Sequence, residues 1–339
     1  MLLHGIMKIG ILKSTPTISP TGGVRVQALM WKEGLESLGH ICHLINMWED
    51  NDWKSYDIII VMEYGGDFRA FMEGLSKHNS NIVSAPILDP PFNKYKFKLI
   101  AKYWGNHRLL KLSSRYKDLY DCAQIPKLFL VRSNQESEYL TYCCNILKDR
   151  IVKVPLSIRF PSLSDMPAKE KFCFHASRLY SANKNVKRLI QAAIKYNFKL
   201  VLAGYLHGVS EKKWLHSLIN GHDNIIYVGV LTDEELKGFY KRAKVFALPS
   251  LVEGVGMVAL EAAGYGCEIV LTNIGAPKEY FLGRATLVNP YSIDEIGQAV
   301  VSCMENTIAQ PELMTFVTNN YSQESCSKKL ESTLKDLII

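Results

Sequence analysis

Pro249-Ser250-Leu251-Val252-Glu253-Gly254-Val255-Gly256-Met257-Val258-Ala259-Leu260-Glu261 follows directly on the apolar run 245–248, and its reading decides the fold. A strand-length apolar run enters a glycine-spaced turn and then a helical segment. That is one step of a parallel α/β sheet. Gly254 and Gly256 remove side chains where the chain turns, so the first N–H groups of the helix stand open. A helix start of this kind favours an anion such as a phosphate. Glu253, in the loop, can face a ligand's hydroxyls, and Glu261, two turns into the helix, can reach a second part of the same ligand. A nucleotide sugar has that form, charged in the middle and hydroxylated at both ends. The same turn also serves any doubly wound sheet, and glutamates on a helix are ordinarily solvated, so the neighbouring segments carry the decision.

Outward from this run, strand-like and helix-like segments alternate. Strands are expected at 7–13, 42–46, 57–62, 82–88, 128–132 and 151–154, then at 172–176, 199–203, 225–228, 245–248, 268–271 and 286–288. Helices are expected at about 24–38, 186–195, 210–219, 233–243, 257–264, 293–306 and 323–337. Thr232 with Glu235 three residues on reads as a capping box. The stretch 155–167 holds three prolines and three serines and reads as a linker. The expected architecture is α/β, with two doubly wound, Rossmann-like domains facing a cleft: 1–160, 168–320, and a last helix over 321–339 that crosses back to the first. Ligands bind at the carboxyl ends of such strands.

Composition narrows the function classes. The 339 residues are 47% apolar, enough for two ordinary cores. No stretch approaches the ~20 apolar residues of a membrane helix. Residues 1–8 lack the charged region of a signal peptide, so a cytoplasmic chain is expected. The eight cysteines show no CxxC or Cys/His metal spacing and read as reduced thiols. Residues 1–160 carry 21 basic against 15 acidic side chains, so most of the net charge of +7 lies there. Within them, 92–117 holds eight Lys/Arg, no acid and six aromatic residues.

In the second domain, strand 172–176 leads into Ser177-Arg178-Leu179-Tyr180-Ser181-Ala182-Asn183-Lys184-Asn185. Two cations before a helix start can hold a pyrophosphate, Arg178 by its fork and Lys184 as a point charge. A solvated basic loop is the plainer reading of either cation alone.

Arg178 with Lys184, the loop Gly229-Val230-Leu231 before Asp233, the spacing Glu253 to Glu261, and Gly266–Glu279 together resemble the retaining glycosyltransferases of family 4, across about 172–282. The resemblance implies the GT-B fold and roles by position. Arg178 and Lys184 would grip the donor diphosphate. Glu253 would bind hydroxyls of the transferred sugar, and Glu261 those of the ribose. Backbone at Gly256, Met257 and Val258 would meet sugar and phosphate, and that near Leu231 the base. Gly22-Gly23 resembles the family's glycine loop, whose backbone amides approach donor phosphate and acceptor, which makes Gly23 a donor-binding candidate, although a Gly-Gly turn before a helix is common. Val255 replaces the Phe often found between the two glycines. Where many relatives place a His after the fourth strand, this chain has Asp89; Asp89 and His107 are the candidate acceptor-side residues, against a turn-forming Asp and a surface His.

The implied reaction moves a hexose-type sugar from a nucleotide diphosphate sugar to a glycan or lipid-linked glycan in cell-surface polysaccharide synthesis. Retention would follow the family's front-face route, in which the departing phosphate helps deprotonate the acceptor. No DxD-type motif stands beside a donor strand, so no metal and no cofactor are expected. The plainest reading of the basic, aromatic stretch 92–117 is a solvated helix face, and it carries no accompanying nucleic-acid motif; with a lipid-linked acceptor it also fits an anionic membrane surface, with the chain peripheral on the cytoplasmic face. Other readings are a GT-B sugar-nucleotide epimerase, which needs no acceptor; a phosphorylase, whose chain is much longer and carries a cofactor lysine; and a non-catalytic scaffold of a polysaccharide synthesis complex, which has no use for four intact donor residues.

Overall fold

Runs such as Ile58–Met62, apolar at every position and fully buried, are the mark of strands covered on both faces, and parallel sheets are the sheets so covered. The computed structural model describes residues 5–13, 23–65, 68–89, 93–103, 115–161 and 163–338. They fall into two compact units: residues up to Ser157 with Gln323–Ile339, and Ile158–Ser322.

Unit 1 holds β1 (Lys8–Lys13), β2 (Ile41–Leu44), β3 (Ile58–Met62), β4 (Ile82–Ala85), β5 (Leu128–Val131) and β6 (Ile151–Lys153). Every pairing is parallel, in the order β2-β1-β3-β4-β5-β6. The helices are α1 (Gly23–Ser37), α2 (Phe68–Ser76), α3 (Lys94–Tyr103), α4 (Arg115–Asp121) and α5 (Asn134–Cys144). The fourth strand is shorter than its apolar run. Pro86 follows it, Ile87 turns into the left-handed region at φ 54°, and the Leu88 N–H leaves the ladder to donate to Glu136 Oε1 at 3.0 Å.

Unit 2 holds β7 (Glu170–Ala176), β8 (Leu200–Ala203), β9 (Ile225–Tyr227), β10 (Ala243–Leu248), β11 (Glu268–Thr272) and β12 (Thr286–Val288). They are parallel in the order β12-β11-β10-β7-β8-β9. The chain starts at β7, winds outward to β9, then returns to β10 on the other side of β7. The helices are α6 (Val186–Tyr196), α7 (Gly208–Ile219), α8 (Asp233–Arg242), α9 (Met257–Gly264), α10 (Pro277–Phe281), α11 (Ile293–Glu305) and α12 (Glu312–Tyr321). The capping box of Thr232 and Glu235 forms at the start of α8. Patterning did not announce α12, a half-polar helix whose Leu313, Met314 and Val317 are buried.

The last helix, α13 (Gln323–Lys335), packs on α1. Leu330 and Leu334 are fully buried in one cluster with Ile9, Ile11, Trp31 and Leu35. Gly34 makes the close approach possible, since a Cβ there would lie 1.9 Å from Ser327 Oγ. The pair His40 Nε2–Glu331 Oε1 at 2.9 Å closes the contact. Among the described residues no helix is long and apolar enough to cross a membrane.

Gly204, just past β8, sits at φ 146°, and a Cβ there would lie 1.7 Å from the Ser177 carbonyl oxygen. Backbone cannot rotate away as a flexible side chain can. Gly204→Ala should therefore destabilise the chain by about 2–4 kcal/mol, read as a lower denaturant midpoint at unchanged slope; an unchanged midpoint would refute the close packing.

Candidate functional site

In unit 2 the order of strands reverses between β7 and β10. The connections leaving these two strands run to opposite faces of the sheet, which opens a crevice at their carboxyl ends. Two of the sequence-marked loops stand there: Ser177–Asn185 after β7 and Pro249–Gly256 after β10.

The loops are stitched together. The Leu251 N–H donates to the Asn183 carbonyl at 2.8 Å. Asn185, buried and left-handed at φ 58°, donates its amide N–H groups to the Pro249 carbonyl at 2.9 Å and the Pro290 carbonyl at 2.6 Å. One side chain thus joins the start of α6 to the ends of β10 and β12. Asparagine suits the position because it tolerates the left-handed region and carries two donors.

This stitching brings Lys184 and Glu253 into contact. Lys184 Nζ lies 2.7 Å from Glu253 Oε2, and the Ser250 hydroxyl donates to the same oxygen at 2.9 Å. The pair is partly exposed, with Glu253 the more covered partner. Arg178 is exposed on the same loop, and the structure shows no ion pair for it among the described residues. Gly256 caps α9 at φ 76° with no side-chain cap bond. Met257 and Val258 follow, half-buried. The first N–H groups of an α-helix have no intrahelical partner, so an anion at this start would meet free donors. Leu231 is half-buried after β9.

Glu261 departs from the expectation of an open second contact. Its residue exposure is 1%. The helix that carries it is apolar nearly all round and lies among β10, β11, α8 and α12, so a side chain in its second turn is enclosed. Arg159 compensates the buried charge, with Nε 2.5 Å from Oε1 and Nη2 3.0 Å from Oε2, and the Tyr240 hydroxyl donates to Oε2 at 3.2 Å. Burial pushes the Glu261 carboxyl above its ordinary range, while the guanidinium pulls it down.

Beneath the β7 loop lies His175, fully buried. Its Nδ1 is 2.7 Å from the Ala247 carbonyl and its Nε2 2.7 Å from Ser177 Oγ. The carbonyl can only accept, so Nδ1 carries the proton and the Ser177 hydroxyl donates to Nε2. Burial, with nearby Lys184 adding to it, lowers the pKa to about 4. His175 is therefore a neutral brace across β7 and β10.

In unit 1 the corresponding reversal lies between β1 and β3, where Lys13 Nζ meets Glu63 Oε2 at 3.1 Å. Gly23 is the exposed first residue of α1; residues 14–22 before it, and His107, lie outside the described residues. Asp89, past β4, accepts from Arg132 Nη2 at 2.9 Å. Arg132 is fixed by buried Glu136, which accepts from the Arg132 N–H at 2.6 Å and from Nε at 2.8 Å. Neither Asp89 role expected from sequence included this pair. Among the described residues no group of His, Cys, Asp and Glu could hold a metal ion.

Sequence reasoning missed Arg159, His175 and the Asn185 brace. Arg159 lies in a proline-rich stretch that read only as a linker. His175 sits on a strand where burial hides it. Asn185 had one local signal, an asparagine immediately before a helix.

Residues 161–336 match the family model described as glycosyl transferases group 1. The O-antigen chain mannosyltransferase B of Escherichia coli is 25% identical over 208 residues, which are 56% of this chain and 55% of that one. The chain thus spans about half the length of that curated relative. Among solved structures, the sucrose-phosphate synthase of Thermosynechococcus elongatus superposes with TM-score 0.75 at 16% identity, covering 98% of this chain and 99% of that one. The Anabaena HepE structure in complex with UDP-glucose gives 0.69 at 14% identity, covering 97% and 100%. Together with the two parallel six-stranded sheets, these likenesses establish the GT-B fold.

The buried imidazole generates a pH prediction. The unfolded His175 takes up its proton near pH 6.5 and the folded one near 4, so between those values the unfolded state holds the extra proton. Its contribution to stability is whole above about pH 6.5 and is lost as pH falls toward 4, by up to about 3 kcal/mol. His175→Gln should flatten this slope in denaturant unfolding at pH 7 and pH 5; equal slopes in both chains would rule it out.

Proposed function

We propose, for a chain that belongs to the group 1 glycosyl transferases, a retaining, metal-independent transfer of a hexose-type sugar from a nucleotide diphosphate sugar to a glycan or lipid-linked glycan in cell-surface polysaccharide synthesis. The observation that carries this reading is the Lys184–Glu253 pair on two stitched loops at the β7/β10 reversal, beside the open start of α9. A diphosphate seated at that start would draw on Arg178, Lys184 and the backbone of Gly256, Met257 and Val258. Glu253 would then face the hydroxyls of the sugar, Glu261 the ribose, and the backbone at Leu231 the base. Negative charge grows on the leaving diphosphate as the glycosidic bond breaks. Fixed cations and helix-start dipoles aimed at it lower the barrier. The departing phosphate takes up the acceptor proton on the same face as the new bond, which retains configuration, and no side chain is assigned as general base. The mannosyl relative supports a hexose, and mannose is the first sugar to try. Gly23 is proposed for the donor phosphate, and Asp89 and His107 for the acceptor side.

Donor titration by calorimetry, with product analysis, tests this. Arg178→Ala should weaken binding of the nucleotide sugar roughly tenfold or more, as expected for loss of a charge-assisted hydrogen bond of about 1.5–3 kcal/mol. Glu253→Gln should lower kcat about a hundredfold. Unchanged donor affinity in the first variant removes the diphosphate clamp, and undiminished turnover in the second removes the role of Glu253. A chain that binds no nucleotide would favour the scaffold reading, and a reaction that runs without acceptor would favour the epimerase.

The acceptor side adds a surface. On α3, Tyr95, Leu99 and Tyr103 are 61%, 61% and 63% exposed at a four-residue spacing, and the helix carries four lysines and no acid. This pattern supports peripheral docking on an anionic bilayer, each lysine near the surface contributing about 1 kcal/mol. Charge reversal by Lys98→Glu with Lys102→Glu should lower binding to phosphatidylglycerol vesicles at least roughly tenfold in sedimentation; equal binding by both chains would exclude this face.

A further inference from the structure

Arg159 is the second residue of unit 2, held in place by the Ile158 N–H, which donates to the Tyr321 carbonyl at 2.9 Å. Its side chain is 23% exposed, whereas that of Glu261 is 1% exposed. The guanidinium lies 4.6 Å from the centre of the Phe160 ring, and Nη1 reaches Asp233 Oδ1 at 3.2 Å. Asp233 is largely solvated, with its side chain 66% exposed. The fork therefore joins a buried carboxylate to one at the surface.

Counting lone pairs on Glu261 shows the consequence. An ionised carboxylate offers about four acceptor sites. Arg159 Nε fills one on Oε1; Arg159 Nη2 and the Tyr240 hydroxyl fill those on Oε2. One site remains, on Oε1. A ribose presents two adjacent hydroxyls, and gripping both takes two sites. The complete fork and a fully bound ribose exclude each other. Releasing Arg159 altogether would leave a buried carboxylate unpaired, which is strongly unfavourable. Releasing Nη2 alone avoids that: it makes the longer of the two bonds, on the oxygen it shares with Tyr240, and Asp233 stands ready to hold the freed end.

We propose that Arg159 sets the affinity and ribose selectivity of the donor site, its Nη2 bond to Glu261 Oε2 being exchanged for a ribose hydroxyl when the nucleotide binds. This rests on the reading of Glu261 as the ribose-binding residue. Arg159 is a positioning residue in this scheme: it offsets the buried charge of Glu261 and aims the carboxylate in the free chain, and it yields one lone pair to the ligand. One of the two ribose hydroxyls takes the vacant site on Oε1, but the second is bound only against the Nη2 bond lost, so the chain gains little from it and discriminates weakly between ribose and 2′-deoxyribose.

Calorimetry with UDP, GDP and their 2′-deoxy forms tests the exchange. The readout is the ratio of the deoxy to the ribo Kd, a quantity that general loosening of the fold would not move. Arg159→Lys keeps a cation beside Glu261 without the fork, and should raise the ratio about tenfold, the worth of one added charge-assisted hydrogen bond. Tyr240→Phe vacates a lone pair on Oε2 without touching the charge; it should shift the ratio in the same direction and serves if Arg159→Lys does not fold. A raised ratio supports the exchange. A ratio unchanged in the folded variants, whether or not overall affinity falls, overturns it and makes Arg159 a fixed structural partner. If the unaltered chain binds neither nucleotide, the donor reading itself fails and the exchange with it.

Discussion

The amide of Asn185 holds the candidate site together. A doubly wound sheet that reverses direction between β7 and β10 creates a crevice, but only as a gap between two loops that could each move alone. Asn185 joins them by donating to the carbonyls at the ends of β10 and β12 from the start of α6. The Leu251–Asn183 backbone bond and the contact of Gly204 on the Ser177 carbonyl complete the frame. Lys184 and Glu253 meet because this frame sets their distance, and without it they would be two solvated side chains 69 residues apart.

The two glutamates of the Glu253–Glu261 pair have different environments, although one short run carries both. Glu253 lies on a loop, beside a lysine and within reach of water. Glu261 lies in an apolar helix that the fold encloses, and burial would drive it toward the neutral form without the Arg159 fork. His175 is the complementary case: enclosed between two hydrogen-bond partners with Lys184 nearby, it stays neutral. The crevice of unit 2 thus keeps Arg178 and Lys184 near the surface and balances its buried charge internally.

Much of this was legible in the chain itself. The apolar runs predicted strands that form within one to three residues of their expected ends, because period and punctuation are local properties of a covered parallel strand. The fourth strand ended early, since Pro86 and the left-handed Ile87 interrupt a run that remains apolar through Leu88. α12 was invisible because half of its residues are polar and its burial comes from neighbours remote in sequence. Of the candidate site, Arg178, Lys184, Glu253 and Gly256 were legible from spacing on loops that the fold keeps at one sheet edge.

Partner choice was not legible. The sequence alone determined an α/β chain with two sheets, a glycine-spaced turn with an open helix start, and a basic, aromatic first half, because each follows from residue types within a few positions of one another. The tertiary structure alone decided that Glu261 is enclosed, that Arg159 neutralises it from 102 residues away, and that Asp89 is bound to an arginine that Glu136 fixes. Desolvation acts on a side chain through everything packed around it. The cation that offsets it can come from any distance along the chain, so no local pattern records which one it will be.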